Sequence, residues 1–185
     1  MKLPVALLPV IAACVGAGEM AVKPASSTAP APASVETPRV SPQTLAQLEQ
    51  DFEDKVKAIR GPEPFSLLGA SSGFYLEGYG VVLTLPLDLI PTPGISPFRP
   101  QFTKQDQEQV HRRKLAQLPA LRQAAREMLA SAAASLSTLP VDRKISVAVR
   151  IYYMSWEDSA GLPHQIVATA DRKSALAGAI QLEEQ

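Results

Sequence analysis

Residues Gly69-Ala70-Ser71-Ser72-Gly73 match G-x-S-x-G, the pattern that raises a serine nucleophile on a sharp turn. That chemistry needs a strand before the turn, a helix after it, and a histidine base held by an acid. Here Phe74-Tyr75-Leu76 follow, which read as strand, and the chain has only two histidines, His111 and His164. The glycines therefore read first as a turn, with a small hydrolase using Ser71 as an alternative. Glu157 and Asp158 are a second place where paired carboxylates would serve a hydrolase. Glu108 and His111 stand three apart on an expected helix, the spacing of a di-iron ligand pair, but there is one copy. Gly78-Tyr79-Gly80 precedes strand-like residues, whereas phosphate-cradling glycines open a helix. No C-x-x-C or H-E-x-x-H occurs, so neither zinc nor another cofactor is expected.

Two groups of residues suggest a surface for binding instead of chemistry. From Lys104 to Arg126 there are six basic and two acidic side chains, with His111-Arg112-Arg113-Lys114 followed by Arg122 and Arg126. Such a face would suit an acidic partner, a lipid headgroup or a cell-wall polymer. Its bland account is a solvated helix that pairs weakly with the acidic Glu49, Asp51, Glu53 and Asp54. The second group is Trp156, Glu157 and Asp158, beside Tyr152 and Met154, where an aromatic with neighbouring carboxylates would form a binding rim. Alternatively Trp156 covers the end of the core and the two acids shape a turn. The chain as a whole carries 18 basic and 18 acidic residues, a balance that gives no reason to expect nucleic acid, which demands a concentrated positive field.

These groups must be placed by a small domain. Ser41 and Pro42 read as N-cap and first position of a helix, and Leu45, Leu48, Phe52, Val56 and Ile59 recur at helical spacing until Gly61-Pro62. Phe65–Leu68, Phe74–Glu77 and Tyr79–Leu87 read as strands, followed by a proline-rich loop over 89–102. Thr103 caps a long helix that Pro119 breaks or kinks, resuming from Ala120 to Leu136. Arg143–Met154 alternates cleanly: Ile145, Val147, Val149, Ile151 and Tyr153 on one side, Ser146, Ala148, Arg150, Tyr152 and Met154 on the other. A turn containing Gly161 leads to a partner strand, Gln165–Ala170, and residues 172–184 read as a last short helix. The expectation is an α+β domain, residues 42–185, in α-β-β-α-β-β-α order. It has an antiparallel or mixed sheet of about four strands, a long kinked helix and two flanking helices on one face. This element order is similar to that of the roadblock and profilin-like families, which would imply a central antiparallel sheet between helices.

The first 21 residues read as a targeting segment. Lys2 precedes an apolar run, Leu3–Ala13, which as a helix would rise about 16 Å against a bilayer core of about 30 Å. Ile11-Ala12-Ala13-Cys14 resembles a bacterial lipoprotein signal, in which the cysteine becomes lipidated; Val15-Gly16-Ala17 offers ordinary signal-peptidase cleavage instead. Cys14 is the only cysteine, so no intrachain disulfide can form. Residues 22–41 are a Pro/Ala-rich disordered tether that, from Cys14 to Ser41, would reach on the order of 80 Å if extended. Tyr75-Leu76-Glu77-Gly78-Tyr79-Gly80-Val81-Val82, Val110-His111-Arg112-Arg113-Lys114 and Tyr152-Tyr153-Met154-Ser155-Trp156-Glu157-Asp158 with Gly161-Leu162-Pro163 resemble segments of uncharacterised exported proteins of soil bacteria. That resemblance implies export and carries no activity or functional residue. The expected protein is thus an exported envelope module, lipid-anchored at Cys14. It is non-enzymatic, and its partner is an unknown envelope protein or polymer.

Overall fold

The helix over residues 42–58 starts where local chemistry predicts. Ser41 Oγ accepts the Thr44 amide at 3.1 Å, and Pro42 occupies the first turn, where a missing N–H costs nothing. A computed structural model describes residues 40–92, 94, 97 and 101–185 of the chain, so the expected targeting segment, Cys14 and nearly all of the expected tether lie outside the described residues. Val40 and Ser41, read as the tether's end, belong to the domain: Val40 is buried in the core, and Ser41 is the cap.

The elements run α1 (Pro42–Ala58), β1 (Ser66–Leu67), β2 (Ser72–Leu76), β3 (Gly80–Asp88), α2 (Lys104–Ser135), β4 (Lys144–Ile151), β5 (Gln165–Asp171), α3 (Arg172–Leu176) and β6 (Gln181–Glu184). All pair into one six-stranded sheet. β1 and β2 share one edge of β3, and β4, β5 and β6 follow in order beyond its other edge. β3 and β4 are parallel, joined by α2 as the crossover; the other pairs are antiparallel. The α+β class is as the sequence predicts, and of the two sheet types expected this is the mixed one; it has six strands in place of about four. Pro86, inside a central strand, is tolerated because its nitrogen faces the gap between β1 and β2. The Pro86 carbonyl, on the same side, accepts the Leu68 amide at 3.1 Å.

Alternation sets the faces. Val81, Leu83, Leu85 and Leu87 of β3, Ile145, Val147, Val149 and Ile151 of β4, and Ile166, Ala168 and Ala170 of β5 are buried toward the helices. Leu48, Phe52 and Val56 of α1 and Leu121, Ala125, Met128, Leu129 and Ala132 of α2 complete a single core, which Ala175 of α3 joins. All three helices thus lie on one side, where the resemblance to a sheet between helices fails. The alanines of α2 let it settle close to β4 and β5.

Three element boundaries correct the sequence reading. α2 runs unbroken through Pro119 for 32 residues, because Pro119 is exposed and its lost bond, to the Leu115 carbonyl, falls on the solvent side. β4 ends at Ile151, so Tyr152, Tyr153 and Met154 lie beyond the ladder. The expected terminal helix is only five residues long. Gly178 at φ 78° reverses the chain, and Gln181–Glu184 then pairs with β5 as an edge strand. A short polar strand at a sheet edge has no apolar alternation to betray it.

Candidate functional site

Lys114 belongs to the buried stripe of α2. It sits four residues after Val110 and four before Leu118, both buried, and its side chain is 1% exposed. Its ammonium lies 2.7 Å from Asp88 Oδ1, at the end of β3, and 2.5 Å from Glu157 Oε2, in the turn after β4. The Tyr153 ring faces it with its centroid 5.0 Å away. Tyr153 Oη donates to the Pro163 carbonyl at 2.7 Å. Burial first, and then the charges of Asp88 and Glu157, push this phenol well above its ordinary range. The cluster stands where the parallel strands end, the position at which open α/β sheets place ligands. Here protein fills that position. The ammonium is covered and spent on two carboxylates, so it offers neither a nucleophile nor an accessible charge. What it does is mechanical: it ties β3, α2 and the turn after β4 together.

The same turn is held from a second side. Trp156 stacks on Phe102 with centroids 3.7 Å apart and planes 10° from parallel, just before the capping box of Thr103 and Asp106 that opens α2. His111 Nδ1 lies 2.9 Å from the Asp158 carbonyl and so donates to it. Asp158 Oδ1 accepts the Ala160 amide at 3.0 Å. Glu157 Oε1 and Trp156 Nε1 are buried without a hydrogen-bond partner among the described residues. Of the expected rim, therefore, Glu157 is interior and Trp156 half-buried against Phe102. Asp158 is exposed and shapes the turn.

The expected basic face is largely consumed. Arg113 makes a two-pronged bond to Glu63, which holds that carboxyl below its ordinary range. Arg122 does the same with Glu184, at 2.5 and 2.8 Å, which fastens α2 to β6. Lys114 is inside. Arg112 and Arg126 remain exposed. As a continuous cationic surface the helix is thus corrected to three separated exposed charges, Lys104, Arg112 and Arg126.

The acidic face of α1 also has work. The Gly73 amide donates to Glu49 Oε1 at 2.6 Å and the Ser71 amide to Glu53 Oε1 at 2.9 Å. The Ser71 amide is the main reason that the Glu53 carboxyl lies below its ordinary range. Ser71 is buried, and its Oγ donates to the Glu49 carbonyl at 2.8 Å, with Glu53 Oε1 at 3.3 Å. Neither histidine is among its partners: His111 holds Asp158, and His164 meets the Tyr153 ring edge-on at 5.1 Å. The G-x-S-x-G segment is an amide-rich turn docked on carboxylates, with no histidine among the partners of its serine.

The remaining candidate is the side of the sheet opposite the helices. Phe74 and Leu76 of β2, with Tyr152 and Met154 after β4, are 42–52% exposed there or at its rim. Level with Phe74, a row of hydroxyls runs across the strands: Tyr79 Oη and Ser146 Oγ share a hydrogen bond of 2.6 Å, and Ser146 Oγ and Thr169 Oγ1 one of 3.0 Å. Gly80 sustains the floor of this row. It has φ 138°, and a Cβ there would lie 2.0 Å from the Lys144 carbonyl, so only glycine lets β3 and β4 close at this end. A recess of about 420 Å³ opens on this face at the upper end of β3 and β4. It is lined by Ser72, Thr84, Pro86, Ala148, Arg150, Tyr152 and Gln165, among others. Sequence reasoning placed Arg150 and Tyr152 on one face through strand alternation but did not single out Arg150, because the recess forms only when β2, β3, β4 and β5 lie side by side. Asp88 was missed outright; it continues the parity of a half-exposed strand face, with nothing local to announce a buried ion pair. No known protein family, no curated protein and no solved structure matches the chain.

Proposed function

We propose that this chain is an exported, lipid-anchored interaction module without catalytic activity, and that it docks a partner protein on the open face of its sheet. The observation that carries this reading is the open sheet face itself, where Phe74 and Leu76 at one end and Tyr152 and Met154 at or beyond the other are 42–52% exposed. Apolar side chains at both ends of an uncovered sheet face are what a docking partner would cover. The charges on the helix side support it from the other direction, since Arg113, Lys114 and Arg122 already have partners within the fold. Anchoring rests on Ile11-Ala12-Ala13-Cys14, with the Pro/Ala-rich tether giving the domain reach.

A photo-crosslinking residue placed at Phe74 is expected to give a protein adduct in intact cells, while one at the exposed Leu115 of α2 gives none. Adducts from Leu115 alone, or attachment to a cell-wall polymer in place of a protein, would refute the docking assignment. For the anchor, Cys14→Ser is expected to move the protein from the membrane fraction to the soluble one. Equal recovery with membranes would rule out lipidation.

A further inference from the structure

We propose that the recess around Arg150 is a binding site for a peptide carboxylate, supplied by the partner that docks on the open face; this rests on the docking reading above. Arg150 is the one residue of the recess with a full charge, and it is exposed. Among the described residues its guanidinium meets no carboxylate. Its one contact is the Tyr152 ring, with the centroid 5.3 Å from Cζ. That sets it apart from Arg113 and Arg122, each of which is matched two-pronged within the fold. The ring holds one side of the planar guanidinium and leaves its fork of N–H donors for a planar acceptor, the geometry a carboxylate fits.

The surroundings suit the rest of a peptide. Gln165 is the direct cross-strand neighbour of Arg150, and its side-chain amide has no partner among the described residues. Across β3, Thr84 is paired with Ser72 in register, which brings two more hydroxyls to the recess. Pro86, opposite Arg150 in the β3–β4 ladder, and Ala148 provide an apolar floor. A charged fork, an amide and hydroxyls above such a floor would fix a carboxylate together with the adjacent peptide group and one small side chain. The ionic cluster contributes at a distance. Tyr152 stands next to Tyr153, which packs against Lys114, so the segment that braces the guanidinium is anchored on its other side.

The test is a titration of the purified full chain, followed by amide chemical shifts, with three tetrapeptide probes. One is acetyl-Ala-Ala-Ala-Leu as the free acid, the second its C-terminal amide, and the third an amidated peptide with an internal glutamate. The free acid or the glutamate peptide is expected to shift the amides of Ser72, Ala148, Tyr152 and Gln165. Which of the two does so identifies a chain terminus or an acidic side chain as the source. Arg150→Gln should weaken that binding at least tenfold while amide shifts distant from the recess stay in place. Arg150→Lys should recover only part of it, since a point charge lacks the fork. Equal shifts from the uncharged amide, unchanged binding by Arg150→Gln, or shifts confined to the neighbourhood of Arg112 and Arg126 would each overturn the assignment. A Phe74 adduct that persists in Arg150→Gln alongside lost peptide binding separates the recess from the wider docking face.

Discussion

Lys114 shows how much one side chain can hold. Two carboxylates approach it in a site closed to solvent, and among the described residues neither Asp88 nor Glu157 has another cation beside it. Burying such charges is costly, and their mutual attraction offsets the cost only while all partners stay in place. Lys114→Met would keep the apolar stem and remove the ammonium, leaving two carboxylates facing each other. Such a variant is expected to lose about 3–5 kcal/mol of stability in denaturant unfolding. A loss below about 1 kcal/mol would show that the cluster is not what fastens the turn after β4. Glu157 Oε1 and Trp156 Nε1 are both buried and unpartnered among the described residues, so this turn carries unmet hydrogen-bonding capacity beside the ion cluster.

Among the elements, α2 is the one that everything else leans on. It crosses from β3 to β4, covers the sheet, and sends Lys114, Arg113 and Arg122 to three different segments. Pro119 sits in its exposed middle and removes one bond of the helical ladder. Proline in a helix interior costs about 3 kcal/mol when the chain gains nothing from the bend. Pro119→Ala restores the amide that the Leu115 carbonyl lacks, and the melting temperature is expected to stay level or rise. A fall of several degrees would mean that α2 needs the proline to follow the twist of the sheet beneath it. β6 is the counterpart at the periphery: short, polar and half-open, it is tied back by Glu184 to Arg122.

The molecule as a whole should respond to acid through a few carboxylates on its helix side and at its loops. Glu53 is held low by the Ser71 amide, Glu63 by Arg113, Glu184 by Arg122 and Asp171 by the Ser174 amide. Each has a lower affinity for protons in the folded chain than in the unfolded one. Their stabilisation is therefore complete above the ordinary carboxylate range and is lost as pH falls through the lowered values. Melting temperature is expected to be flat near neutrality and to drop progressively below the ordinary glutamate value of 4.5. The double variant Glu63→Gln with Glu184→Gln should show a shallower acid limb; an acid limb as steep as that of the parent chain would remove these pairs from the account. Added salt should weaken the Arg113 and Arg122 pairs, which are partly open to solvent, more than the enclosed Lys114 cluster.

Much of this architecture is local and therefore legible in one dimension. Leu45, Leu48, Phe52, Val56 and Ile59 recur every three or four residues, close to the helical period, and Ile145, Val147, Val149 and Ile151 every two. These two periods alone identify α1 and β4 and the face each buries. Caps at Ser41 and Thr103 follow from side-chain chemistry within three residues. Pairing across the chain is a different matter. Lys114 and Glu157 are 43 residues apart, Ser71 and Glu53 are 18 apart, and Arg122 and Glu184 are 62 apart. A lysine that follows two arginines reads as a charged surface until the fold turns it inward, and an acidic helix reads as solvated until a loop brings its amides to it. The parallel ladder of β3 and β4, the edge strand β6 and the recess around Arg150 arise the same way. Each needs surfaces that meet only once distant segments have closed, because contact energy depends on proximity in space while sequence pattern reports proximity along the chain.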